Sequence, residues 1–133
     1  MQRLASWFVS IVFMLSAGLA HAGTPDDACK DLMEARGYLV TMLDATDKAT
    51  QNDLKAKVNA ASAKLDAVLA AMAKGPDAAK ATDFKTVWEE FRKTRDTEII
   101  PYIYAGKKAE AKALATGVQA ERMKKMKGVM GCP

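Results

Sequence analysis

Residues 54–72 read LKAKVNAASAKLDAVLAAM. Leu54, Val58, Ala61, Leu65, Val68 and Met72 fall at alternating steps of four and three. That is the heptad seam of a helix packed lengthwise against other helices. The helix is predicted over about 50–74, with Thr50 and Asp53 as its N-terminal cap and Gly75-Pro76 as its end. Outward from this seam, the period of 3.6 recurs three more times. A first helix over about 26–47 carries Leu32, Leu39 and Leu43 on one stripe. A third over about 77–105 turns Phe84, Trp88, Phe91, Ile99 and Tyr102 inward, and Pro101 is expected to kink it near its end. After a tight hairpin at Gly106, a fourth over about 107–129 carries Leu114, Val118 and several methionines. No alternating β-branched run occurs. Four such helices joined by short loops neighbour one another antiparallel, so the predicted fold is all-α, an up-down-up-down four-helix bundle over residues 23–133.

Residues 1–22 read as a secretory signal. Arg3 precedes an apolar run from Leu4 to Leu19, and Ala20-His21-Ala22 places small residues where a signal peptidase cuts. The run is shorter than the roughly 20 apolar residues of a membrane span. Cleavage is therefore expected after Ala22, which makes the mature protein soluble and periplasmic. No second membrane span is found in the sequence, and no cysteine ends the apolar run to carry a lipid.

The chain has 133 residues, net charge +4 and one histidine, His21, which leaves with the signal. Without imidazole the catalytic triad, the usual zinc site and His-ligated haem each lose a required part. Ser62 is the sole serine after residue 22 and has no base to activate it. Exported all-helical chorismate mutases act without histidine through positioned Arg and Lys, but their arginine, lysine and glutamine pattern is absent here. No enzyme activity, cofactor or metal is expected. No nucleic-acid partner is expected either, since no basic motif is interleaved with aromatics and export argues against one.

Cys29 and Cys132 lie near opposite ends, which rules out CxxC chemistry and favours a disulfide in an oxidising compartment. The bundle topology brings both to one end, although Cys132 counts some five residues lower than Cys29, and Gly128 and Gly131 offer the tail room to fold back. Residues 23–47 carry six acidic and two basic groups, and residues 106–133 seven basic and two acidic. The first and fourth helices are therefore expected side by side.

The stretch Val87-Trp-Glu-Glu-Phe-Arg-Lys-Thr-Arg95, then Ala105-Gly106-Lys-Lys-Ala-Glu110-Ala111, resembles the four-helix-bundle sensor domain of methyl-accepting chemotaxis receptors. Those domains share an aromatic pair and an arginine on the third helix, a small-residue hairpin, and a Glu-Ala pair opening the fourth. The resemblance implies a periplasmic bundle that senses small molecules, often as a dimer. The second span and cytoplasmic signalling rod of such receptors are not found in these residues, so a sensing role implies a partner, a membrane sensor or another periplasmic protein.

Several residues carry candidate chemistry. Arg36 interrupts the first stripe and Arg95 lies on the apolar side of the third helix at similar height. Either they form a carboxylate or phosphate pocket with Trp88, Tyr38 and Tyr102 nearby, or Asp96, Glu98 or Asp44 neutralise them as ion pairs. Met123, Met126 and Met130, with Met33 and Met42, are either a Cu(I)-binding stripe or a packed seam. Arg122, Lys124, Lys125 and Lys127 either meet an anionic surface or form a solvated face toward the acidic first helix. The leading expectation is a non-enzymatic, sensor-like module for a small anionic ligand or a partner protein. A Met-rich Cu(I) carrier and a ligand-free structural bundle are the alternatives.

Overall fold

Thr24 starts the first helix with reciprocal hydrogen bonds. In the computed structural model, which describes residues 23–133, its Oγ1 accepts from the Asp27 N–H at 3.2 Å while the Asp27 carboxylate accepts from the Thr24 N–H at 3.3 Å. The signal predicted for residues 1–22 lies outside the described residues. Pro25 at the first position and Asp26 and Asp27 in the first turn suit the positive end of the helix dipole, and α1 runs Pro25–Asp44. The second helix, α2, runs Lys48–Met72 and begins earlier than predicted. Asp47 is its cap, accepting from the Thr50 N–H at 2.8 Å, so Thr50 is a donor to the cap. Asp53 instead pairs with Lys57 at 3.0 Å along the helix. The six seam residues of α2 are all buried.

The third leg is α3 (Ala78–Thr94), a π-helical turn (Arg95–Ile99) and α4 (Ile100–Tyr104). Pro101 has no N–H for the Thr97 carbonyl and its ring crowds that carbonyl. The chain answers one turn upstream of the proline: the Ile100 N–H reaches back five residues to the Arg95 carbonyl. The wider turn rotates the remainder of the leg, so Ile99, Ile100 and Ile103 enter the core. Tyr102, expected inward, is left half-buried. At Gly106, φ is +72°, and the Lys107 and Gly106 N–H groups bond the Tyr102 and Ile103 carbonyls at 2.8 and 3.1 Å. This left-handed helix end reverses the chain as the sequence indicates.

The fourth leg, expected to be continuous, is broken. Helix α5 spans Lys108–Thr116 and α6 spans Val118–Met130, with Gly117 between them at φ −95°, ψ −104°. A Cβ on Gly117 would sit 2.8 Å from the Ala113 carbonyl oxygen, so glycine alone makes the break without displacing backbone. The break turns Val118 to solvent and leaves Leu114 half-buried, whereas Met123, Met126 and Met130 are buried. Gly131, at φ +69°, ends α6, and its N–H and that of Cys132 both bond the Lys127 carbonyl. That turn carries Cys132 back to Cys29, closing a disulfide across 103 residues with the Cα atoms 5.6 Å apart.

All described regular structure is helical, and the four legs form the expected bundle. Helix α1 packs most extensively on α2, and α3 on α6. Buried Ala28, Ala35 and Ala61 let α1 and α2 approach closely. The acidic and basic legs meet where Asp44 ends α1, 2.7 Å from Lys108 at the start of α5. Arg122 departs from expectation: it faces α3, near Glu90 at 3.7 Å, and not α1.

Alkylation of the denatured, unreduced protein should add no mass, and reduction should expose two reactive thiols. In the chain-entropy picture, opening a loop of this length costs about 4–5 kcal/mol. Reduction should then lower the thermal midpoint by about 15 °C or more.

Candidate functional site

A layer of bonded polar groups crosses the bundle at the π turn. Arg95 is 1% exposed. Its Nε and Nη2 donate to the two Asp96 carboxylate oxygens at 2.8 and 3.3 Å, and Nη1 donates to Ser62 Oγ at 2.7 Å. Ser62 in turn donates to the Val58 carbonyl at 2.8 Å. The serine is thus a bridge between a charged side chain and α2. The Trp88 ring has the Arg95 and Arg92 guanidiniums each 5.7 Å from its centroid, and stacks on Phe91. Asp66 accepts from Trp88 Nε1 at 3.0 Å and from Arg92 Nη1 at 2.7 Å. Of the two readings open for Arg95, the structure realises the ion pair with Asp96.

The layer continues onto α6 through Gln119, a residue that no motif or period in the sequence singles out. It is 2% exposed; Nε2 donates to the Phe91 carbonyl at 2.8 Å, and Oε1 accepts from Arg122 at 2.9 Å. Arg122 also donates to Thr94 Oγ1 at 2.7 Å. The last turn of α3 is thereby tied to the first turn of α6. Among the described residues, no fully buried side-chain nitrogen or oxygen lacks a partner.

Beside this layer, α1 and the broken fourth leg enclose a cleft of about 260 Å³. Leu39, Phe91 and Met123 are its buried floor, with Gln119 at the base and Leu43 and Ala115 on the walls. Arg36, Lys108 and Lys112 stand on its rim with one acid, Asp44. That acid is engaged: the Lys108 ammonium hydrogen-bonds its carboxyl and holds it below the usual carboxylate range, and Lys112 adds to the pull. Among the described residues, Arg36 and Lys112 have no carboxylate within ion-pair distance. A second lobe of about 330 Å³ shares Arg36 and Met123 and adds Met33, Ala120, Lys124 and Lys127.

The five residues predicted to form one pocket are dispersed. Arg36 is exposed on the cleft; Arg95 and Trp88 belong to the buried layer. Tyr38 and Tyr102 are half-buried elsewhere, with Lys57 and Lys107 about 6.0 and 5.8 Å from their ring centroids. The helical period placed Arg36 and Arg95 at one height but could not place them on facing sides. The methionine stripe is likewise core at Met42, Met123, Met126 and Met130. The thioethers that share a cavity, Met33 and Met123, have Arg36, Lys124 and Lys127 around them, charges that repel Cu(I). A wider groove of about 660 Å³ between α2 and α3 has its charges paired with each other, Asp66 with Arg92 and Lys85 with Glu89.

Elsewhere, Asp31 is buried against α2, and desolvation pushes its carboxyl above the ordinary carboxylate range despite the pull of Lys64.

These features define the class: an all-α, four-legged bundle whose interior charge is internally bonded and whose free cations line a cleft at its surface. The family described as a four helix bundle sensory module for signal transduction matches residues 9–131, and the chain belongs to that family. The resemblance carried by Val87–Arg95 and Ala105–Ala111 is borne out. No curated protein and no solved structure gives a match.

Replacing Ser62 with alanine leaves a buried guanidinium N–H without its acceptor, which costs about 1–3 kcal/mol. The midpoint should fall by roughly 5–15 °C in a thermal melt, and an unchanged midpoint would remove Ser62 from the structural layer. For Asp31, the folded state holds a proton more tightly than the unfolded chain, so its destabilising effect is absent at acid pH and grows as pH rises through the folded pKa. Asp31→Asn should raise the midpoint at neutral pH, with the gain vanishing below about pH 4 in a pH series of melts.

Proposed function

We propose that this sensory module is an exported, non-enzymatic periplasmic domain that binds a small anion in the cleft between α1 and α5–α6. Arg36 carries the reading. It is shared by both lobes, has no carboxylate partner among the described residues, and stands at the edge of an apolar floor. A guanidinium so placed favours a carboxylate or phosphate oxygen, which it can meet with two parallel hydrogen bonds.

Two further observations support compartment and chemistry. The Cys29–Cys132 disulfide fits an oxidising compartment and agrees with the secretory reading of residues 1–22. The one serine beyond the leader, Ser62, is buried and already bonded on both sides, which supports recognition over catalysis. The cleft also touches the hydrogen-bonded layer. Phe91 and Gln119 line the cleft and belong to the hydrogen-bonded layer at the π turn, so an occupant that touches them acts on the junction of α3 and α6. A membrane sensor or another periplasmic protein would read that change.

In thermal melts with acetate, succinate, phosphate, amino acids and straight-chain carboxylates up to decanoate, at least one anion should raise the midpoint. The stabilisation is about 2.7 kcal/mol at a hundredfold excess over the dissociation constant. Arg36→Ala should abolish the shift while changing the unliganded stability by no more than about 0.5 kcal/mol, because the side chain is exposed. A shift that survives in this variant, or no shift with any anion, would overturn the assignment.

A further inference from the structure

We infer that the anion this cleft takes is amphipathic: a carboxylate carried on an unbranched apolar chain, with its head at Arg36, Lys124 and Lys127 and its tail in the lobe over Leu39, Leu43 and Phe91. The inference rests on the anion-binding reading of the same cleft and names the class of ligand.

The shape is the first reason. The two lobes meet at Arg36 and Met123, so the site is a trough along α1 and not a rounded pocket. It runs from Met33 to Asp44, about 16 Å of helix at 1.5 Å per residue. A compact anion such as acetate or phosphate would fill a fraction of that length.

The second reason is the distribution of polarity along the trough. Arg36, Lys124 and Lys127 converge on one lobe, which contains no acidic residue. The other lobe has the buried apolar floor, and one of its rim lysines, Lys108, is already tied to Asp44. Among the described residues, unpaired charge is thus denser at one end, where Lys124 and Lys127 join Arg36 against Lys112 alone at the other, and the buried apolar floor lies at that other end. The uncompensated cations select an anion over a cation or a neutral alcohol, and the apolar end rewards a hydrocarbon tail.

The walls are the third reason. Met33 and Val40 are each 43% exposed, two of the three large apolar side chains that α1 to α6 leave open to solvent. They lie seven residues apart on one stripe of α1, and Gly37 between them has open space where a Cβ would be. Opposite, Ala115 and Ala120 flank the break at Gly117, so small side chains set the width. An alkyl tail lying over Leu39 and Leu43 covers Val40, while Met33 stands beside the head group, and a compact polar anion covers neither.

The test is calorimetric titration of the oxidised protein with acetate, butanoate, hexanoate, octanoate and decanoate, each below its micelle concentration, alongside thermal melts. Affinity should rise about two- to fourfold per added methylene, the upper figure being the conversion of about 0.8 kcal/mol per buried CH2. Octanoate and decanoate should raise the midpoint, and decanol and decylamine should not. Lys124→Ala with Lys127→Ala should weaken decanoate at least tenfold. Leu43→Asn, at a half-buried wall position, should flatten the chain-length dependence; Ala115→Leu, which narrows the tail lobe without adding polarity, should do the same. If acetate and decanoate bind alike, the amphipathic inference fails and the anion site stands. Binding of no anion defeats both. Equal binding of decylamine or decanol, or a lowered midpoint with decanoate, means surfactant adsorption and also overturns the inference.

Discussion

Arg95 brings a permanent charge into the interior of a small helical bundle, and much of the molecule is arranged to keep it bonded. A guanidinium cannot shed its proton to escape burial, so it must be paired and hydrogen-bonded or it destabilises the fold by several kcal/mol. Asp96 supplies the countercharge from the next residue, a geometry in which both side chains meet because the π turn starts there. Ser62 holds the remaining edge from α2, and the Trp88 ring lies with its centroid 5.7 Å from the guanidinium carbon. Pro101, six residues on, is what makes the wide turn the favourable local conformation, since it removes the donor a regular helix would use. The π turn and the bonded charge thus coincide at Arg95, whose carbonyl accepts from Ile100 while its side chain pairs with Asp96.

The same layer explains why the fourth leg is broken. Gln119 reaches the Phe91 carbonyl from the first turn of α6, and Arg122 one turn on reaches Thr94. The break at Gly117 separates α5 from the segment that makes these contacts. The cleft toward α1 opens at that break, with Phe91 and Gln119 lining it. Surface cavity and interior network are two sides of one structural irregularity. π turns recur where a side chain has to be presented in a particular way, and here the turn positions the neighbours of the cleft floor.

The disulfide performs a different task. It joins the first helix to the end of the last, the two legs between which the cleft lies, and fixes their separation at the end where the two cysteines meet. The Asp44–Lys108 pair does the same at the opposite end, though an exposed pair contributes little to stability. The two ties hold the edges of a cleft whose walls are otherwise sparsely packed.

The sequence alone determined what is set within a turn or two of chain or by topology. The seam from Leu54 to Met72, the reversal at Gly106, the helical nature of every leg and the pairing of Cys29 with Cys132 all derive from period, glycine chemistry and antiparallel connection. The sensory family was legible in the residues around Trp88 and Ala105-Gly106. Tertiary structure decided the rest. Asp47 and not Thr50 caps α2, because the loop geometry presents its carboxylate to the right N–H. Pro101 acts upstream, because Arg95 finds partners there. Arg36 faces the cleft and Arg95 the interior, because which side of a helix meets which neighbour depends on the rotation of whole legs about their axes. A period of 3.6 fixes the angles between residues on one helix; it says nothing of the angle between two helices, which only the packing of all four can set.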